Sequence, residues 1–286
     1  MHDITGLEQR CADAWPAVVD VPLGQWRLRA AGGFTGRANS ALTTGDPGIP
    51  VSEALDRVRD FARRHAIAPA AHVVIGSPAE GAVAAAGWRV DLDHPGGAES
   101  LVMTGALAGF VTPKHDRDRR GVVVTAEPLP GWWDLAAQPD PTPAQRHVLT
   151  TGAAVGFGVV VARGPEENEE VAETEGSAET GEAEEQTGGT EQTRGPDEAP
   201  GTVLAAVRGA VVGDLLHVAR LAVRPGARRR GLARLLMGGL AAWGAERGAT
   251  RCALQVAEHN RPAIALYASL GCVEHHRYRY WAPNHA

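Results

Sequence analysis

Val223-Arg-Pro-Gly-Ala-Arg-Arg-Arg-Gly-Leu-Ala-Arg-Leu-Leu236 joins an apolar strand to a helix through a loop of arginines and glycines. Pro225 and Gly226 stop the strand, while Gly231 and Ala233 leave the main chain open to close approach. The first turn of the next helix carries unpaired N–H groups and a partial positive charge, both of which favour an anion. Arg228, Arg229, Arg230 and Arg234 add forked cations suited to phosphate oxygens. The stretch predicts a diphosphate site. No Gly-Lys-Ser/Thr follows, and only one of the three glycines of a dinucleotide fingerprint is present, so neither a P-loop nor a Rossmann site is indicated.

The flanking chain supports a sheet with helices. Leu215 to Val223 is apolar at nearly every position, as in a central strand covered on both faces. Leu232, Leu235, Leu236, Leu240 and Trp243 then recur at helical spacing, with a stop at Gly248. Thr250 to Val256 alternates as a strand. In the next helix the spacing of Asn260 and Tyr267, close to two whole turns, predicts a shared face. Val273 to Trp281 closes the chain as an aromatic, basic strand.

Arg228-x-x-Gly231-x-Ala233, after a Val-x-Pro turn, resembles the acyl-CoA loop of the GNAT N-acetyltransferase superfamily. Asn260-x-x-Ala263-x-x-Leu266-Tyr267-x-x-x-Gly271, which starts 29 residues after Gly231, is similar to a second conserved segment of the same enzymes. The likeness spans roughly residues 122 to 281. It implies an α/β fold of the α+β mixed-sheet kind, mostly antiparallel and flanked by helices, with the acyl-CoA site at a splayed strand pair in the C-terminal domain. It further implies acetyl-CoA as co-substrate, no metal, and attack of a primary amine on the thioester in a ternary complex.

The residues the resemblance assigns to the cofactor are Leu221, Ala222, Val223, Arg228, Arg229, Arg230, Gly231, Leu232, Ala233, Arg234, Asn260 and Tyr267. Tyr267 matches the family's usual general acid; a tyrosine, with a reference pKa of about 10, keeps its proton at neutral pH. Backbone N–H groups near Val223 are expected to stabilise the oxyanion. Ala222 stands where related chains often carry an acid, which leaves the base open among His217, Glu258 and an ordered water. Cys272 replaces a common phenylalanine, a change of packing. A non-catalytic acyl-CoA sensor is the alternative reading.

The N-terminal half repeats the order of elements without the arginines. A helix over Gln9 to Val19, strands at Gln25 to Ala30 and Phe34 to Ser40, and an amphipathic helix from Ser52 precede His72-Val-Val-Ile75. Ser77-Pro-x-Glu80 has capping-box spacing, and strands follow at Trp88 to Asp91 and Glu99 to Thr104. Pro78 and Pro262, and Gly87 and Gly271, are both 184 residues apart, which suggests a duplication. The expected division is a degenerate GNAT-like domain at 1–107, a linker at 108–120, and a GNAT N-acetyltransferase domain at 121–286. Tandem proteins with one working and one degenerate copy are a known arrangement in the superfamily.

Charge is unevenly placed. The chain carries −6 overall, yet residues 164–200 hold 13 Asp/Glu and one Arg, so the remainder is mildly basic. That acidic stretch lacks large apolar residues and is expected to be disordered, either as a tolerated hairpin insertion or as a polyanion competing for the arginine loop. Between Gly156–Ala162 and Val203–Val212 it expands the turn of a predicted hairpin. Cys11, Cys252 and Cys272 have no metal-like spacing and are expected to be buried thiols. No signal peptide or membrane span is indicated, so a cytoplasmic protein is expected, monomeric or homodimeric. Its partner would be an amine-bearing small molecule, or a protein N-terminus or lysine. Nucleic acid is not expected, because no known binding module accompanies the basic residues.

Overall fold

The computed structural model describes residues 3–110, 121–152, 154–162 and 199–284. The predicted linker at 108–120 is described only through Phe110. The predicted acidic disorder at 164–200 lies outside the described residues except for residues 199 and 200. What is described is a mixed α/β fold built on one large sheet.

Twelve strands make that sheet: β1 (Val19–Leu23), β2 (Trp26–Ala30), β3 (Ala41–Leu42), β4 (Ala71–Val74), β5 (Trp88–Val90), β6 (Glu99–Ala106), β7 (Val122–Thr125), β8 (Val155–Val161), β9 (Val203–Val212), β10 (Leu215–Val223), β11 (Arg251–Ala257) and β12 (Val273–Pro283). The order is β1-β2-β3-β4-β12-β6-β11-β10-β9-β8-β7, with β5 also on β12. Two pairs are parallel, β3 with β4 and β10 with β11, and each is joined by a crossover helix. These helices are α2 (Val51–Arg64) and α6 (Leu232–Ala245). The others are α1 (Ile4–Ala14), α3 (Pro78–Ala85), α4 (Pro130–Ala136), α5 (Pro143–Thr150) and α7 (Arg261–Ser269). No described helix is long and apolar enough to cross a membrane.

Strands from both halves of the chain interleave in the sheet. β6 lies between β11 and β12, and β12 runs on from β6 to pair with β4 and β5. The sheet therefore continues across the predicted division at residues 107–121. The repeated order of elements is present on both sides: Pro78 and Pro262 lie in the first turn of α3 and α7, and Gly87 and Gly271 follow with φ of +81° and +85°.

Alternation along β10 assigns the faces. Leu216 and Val218 pack with Leu232, Leu236 and Leu240 of α6, whereas Leu215 packs with Leu7 and Cys11 of α1. α1 is locked by Glu8, which is buried with Oε1 at 2.7 Å and Oε2 at 3.3 Å from His276 Nε2 and His72 Nε2. Burial alone would raise that carboxyl's pKa, but the two imidazoles outweigh it and hold the group below its usual range. On the opposite face Cys252 and Cys272 are buried free thiols, with their sulfurs 3.8 Å apart.

Three local expectations differ from what is seen. α1 begins at Ile4, where Asp3 accepts from the Gly6 N–H, and ends before Pro16; Val19 already belongs to β1. Phe34 to Ser40 is a loop with a 3₁₀ turn and not a strand. The Asn39 side chain accepts from Ala31 and Gly33 N–H and donates to the Phe34 and Thr35 carbonyls, which holds the chain in a coil. At α3 the capping box is absent, because Glu80 reaches the Gly76 N–H and not that of Ser77. Such a box does form at α5 between Thr142 and Gln145.

Candidate active site

The site begins where β10 stops being regular. Its register against β9 slips between Ala219 and Ala222, and Arg220 takes φ +60°, a costly conformation for a residue with a Cβ. Arg220 is held there by donating from Nε to the Ala136 carbonyl at the end of α4, with its guanidinium 5.7 Å from the Phe34 ring. Pairing of β10 with β11 ends at Val218↔Leu254, so beyond Ala219 that edge of β10 has no strand partner among the described residues. The two strands part into a wedge.

A cleft of about 1100 Å³ fills the wedge and continues onto the arginine loop. There Arg229 (φ +60°) and Gly231 (φ +77°) turn the chain into α6, and Gly231 occupies the cap position without any side-chain cap. A Cβ built on Gly231 would meet nothing within 4 Å, so the backbone faces open space. Successive N–H groups of such a turn, at the positive end of a 14-residue helix, form an anion nest. Arg228 and Arg229 line the same cleft, and Arg234 ties α6 to α7 through Ser269 Oγ at 2.7 Å.

Of the residues expected from sequence, Leu221, Ala222, Val223, Arg228, Arg229, Gly231, Leu232, Ala233, Arg234, Asn260 and Tyr267 all line this cleft. Arg230 does not: it is exposed beyond the rim. Asn260 stands before α7 as its cap, with its side chain accepting from the Ala263 N–H at 3.3 Å. It and Tyr267 both line the cleft, although Asn260 is itself outside the helix. Tyr267 is 8% exposed, and burial, reinforced by the thiols of Cys272 and Cys252, pushes its hydroxyl up to about 12. It is a donor throughout the physiological range.

Over residues 2–281 the sequence matches the family described as "Probable histone acetyltransferase Rv0428c C-terminal". The chain belongs to that GNAT acetyltransferase family. It is 25% identical over 281 residues, 98% of this chain and 99% of the relative, to the uncharacterized N-acetyltransferase YobR of Bacillus subtilis (strain 168). In fold it is similar to a GCN5-related N-acetyltransferase from Kribbella flavida, with a TM-score of 0.60, 14% identity, and coverage of 100% of this chain and 97% of that one. It also resembles a tandem GNAT protein from the clavulanic acid biosynthesis pathway, solved without AcCoA, with a TM-score of 0.52, 15% identity, and coverage of 90% and 77%.

Within this acetyltransferase the two side chains named from sequence as possible bases lie elsewhere. His217 points to the α1 face, is fully buried and does not line the cleft. Burial first, and then the charge of Arg37, push its pKa down to about 3. It is therefore a neutral ring, with Nε2 3.1 Å from Gln255 Oε1 and 3.4 Å from Arg37 Nη1. Glu258 is also outside the cleft, 3.7 Å from Arg277.

Sequence reasoning passes over Arg37 and Gln255. Arg37 Nη1 donates to Gln255 Oε1 at 2.5 Å, and its guanidinium lies 4.5 Å over the Trp15 ring. Both residues line the cleft, and both also line a second cavity of about 640 Å³ on the α1 face. The signal for Gln255 is a lone amide in the apolar run Cys-Ala-Leu-Gln-Val-Ala. For Arg37 there is only a stretch of Gly, Thr and Asn that reads as a strand.

Proposed function

We propose that the protein transfers an acetyl group from acetyl-CoA to a primary amine by direct attack in a ternary complex. The observation that carries this reading is the meeting of two cavities at the wedge: the cleft on the α6 side and the cavity on the α1 side share Arg37, Gln255 and Ala257. Two reactants entering from opposite faces would meet there, as direct transfer requires.

The cleft fits acetyl-CoA by its own chemistry. The open nest at Gly231 with Arg228 and Arg229 suits the diphosphate, the unpartnered edge of β10 offers main-chain hydrogen bonds to an amide-bearing arm, and Leu221, Val223 and Leu266 supply apolar contact. Bound there, the coenzyme supplies an activated acetyl thioester. The N–H groups of the free strand edge near Val223 would stabilise negative charge growing on the acyl oxygen. Tyr267 holds a proton that it can donate to the departing sulfur. His217, outside the cleft, is assigned a positioning role on Gln255. The repeat along the chain supports residues 1–107 and 121–286 as two copies of one unit that have exchanged their last strands, only the second of which carries the arginine loop.

The test is coenzyme A release over a panel of amines, alongside calorimetric binding of acetyl-CoA. Binding with turnover of some amine supports the enzyme. Tight binding with no turnover of any amine would favour an acyl-CoA sensor, and no binding would remove the site.

A further inference from the structure

The cavity on the α1 face carries more chemistry than acetyl transfer alone demands. Arg37 stands at its junction with the cleft, and no carboxylate lies within ion-pair distance of it among the described residues. Its polar neighbours, Gln255 Oε1 and His217 Nε2, both lie on Nη1, which leaves Nε and Nη2 without a partner among the described residues. Two further arginines share this neighbourhood. Arg208 is fully buried and donates only to the carbonyls of Leu149, Ala14 and Thr151; Arg220 donates to that of Ala136. The three guanidinium groups sit against a single aromatic pair: Arg37 and Arg208 lie 4.5 and 5.1 Å from the Trp15 ring, and Arg220 lies 5.7 Å from Phe34, with Trp15 and Phe34 stacked at 6.3 Å. Burial, with the charge of Arg37 added, lowers the pKa of Arg208 to about 9 and lowers that of Arg220 as well.

Like charges gathered in a partly dry region, with no carboxylate ion-paired to any of the three among the described residues, are unfavourable, and a bound anion would relieve them. Of the three, Arg37 alone lines both cavities with free donors, in the fork geometry that suits a carboxylate. Its place at the junction sets a further limit. A group held by Arg37 lies within a few bonds of the nitrogen that reacts there, a spacing that an α-amino acid has and a protein lysine side chain lacks. Elsewhere the cavity has a flat wall, His94 stacked on Tyr280 at 3.8 Å, beside Asp91 and Ser100, and Gly36 is packed so closely that a Cβ would fall 2.5 Å from His94 Nε2.

We infer that the acceptor is a free α-amino acid, or an equally short amino carboxylate, whose carboxylate is bound by Arg37 and whose side chain occupies the 640 Å³ cavity. The inference rests on the acetyl-transfer reading. The neutral amine nitrogen forms a bond to the acetyl carbon as the C–S bond breaks; nitrogen releases a proton to solvent, and the leaving sulfur takes one up.

The experiment compares each of several amino acids with its own carboxamide, using the full-length protein and coenzyme A release to obtain kcat/KM. The wild type should prefer the free acid by at least about tenfold, the scale of a single charge-assisted hydrogen bond. In Arg37→Gln the ratio should fall to near one through a higher KM for the acid, while Arg37→Lys should keep part of the preference. Both variants should keep the wild-type circular dichroism spectrum and a cooperative thermal unfolding transition, which shows that they are folded. Equal use of acid and amide by the wild type, or faster turnover of a lysine peptide than of any free amino acid, would overturn the inference and leave acetyl transfer standing. Absence of turnover with every amine, despite acetyl-CoA binding, would remove both.

Discussion

Replacing Tyr267 by phenylalanine isolates one hydroxyl. The ring belongs to the cluster that contains Leu254, Leu270 and Cys272, and phenylalanine keeps that packing, so stability should change by less than about 1 kcal/mol. The effect on rate follows from the environment. A hydroxyl pushed up to about 12 is fully protonated at pH 7, but it is a weaker acid than a cysteine-like thiol of reference pKa about 8.5. Its contribution is therefore a strong hydrogen bond to sulfur as charge builds there, and not an early proton transfer. A hydrogen bond to a charged group contributes about 1.5–3 kcal/mol, which corresponds to a rate loss of about 10- to 150-fold in Tyr267→Phe. The assay is single-turnover acetyl transfer with saturating acetyl-CoA, so that product release cannot hide the defect. Coenzyme affinity should stay within a few-fold. Unchanged single-turnover transfer would refute the assignment of Tyr267 as the donor while leaving the coenzyme site intact.

Gly231→Glu should abolish acetyl-CoA binding in calorimetry, because it puts an anion in the open space of the nest and strains a residue at φ +77°; wild-type affinity would exclude the nest as the diphosphate seat. His217 has a folded pKa near 3 against an unfolded value near 6.5. The fold thus favours the neutral ring, so its contribution is complete above pH 6.5 and is lost as pH falls, by up to about 1.4 kcal/mol per unit. Urea midpoints should drop from pH 6.5 to 4 in the wild type and less steeply in His217→Gln, and equal slopes would contradict the buried neutral assignment. Because β6 pairs with β11 and β12, and β12 pairs with β4, fragments 1–110 and 121–286 made separately should each fail to give a monomeric cooperative unfolding transition, whereas co-expression should restore acetyl-CoA binding. An isolated, stably folded 121–286 fragment would show that β6 is dispensable.

What is legible in the sequence is chemistry carried by neighbours along the chain. The arginine loop, the apolar run of β10, the leucine stripe of α6 and the Asn260 to Gly271 segment each state their structure within a dozen residues, and each lies where the pattern predicts. The wedge is expected from resemblance, but its cause, Arg220 at positive φ anchored to α4, leaves no local mark. Asn39 organises a loop whose sequence reads as a strand, since its four hydrogen bonds reach backbone groups that propensity does not register. His217 illustrates a different failure. A histidine in an apolar strand signals a polar partner, but the partners, Gln255 and Arg37, are 38 and 180 residues away, and they hold the ring out of the cleft.

The interleaving of strands in the sheet gives the N-terminal half, which lacks an arginine loop, a part in the site. β6 borders β11, the strand that carries Gln255 and Ala257, and β12 brings Tyr278 and Tyr280 beside β4. The cavity on the α1 face is walled on one side by Gly33, Arg37 and His94 and on the other by Gln255, Tyr278 and Tyr280, so neither half encloses it alone. On the proposed function, both halves would then shape which amine is presented, while the half that carries the arginine loop would hold the coenzyme. Substitutions of cavity residues remote from the cleft, such as His94 or Tyr280, should accordingly change acceptor choice without touching coenzyme affinity, whereas those around Gly231 should do the reverse. Arg37 and Gln255, linked at 2.5 Å across the junction, are where the two sets of effects would meet.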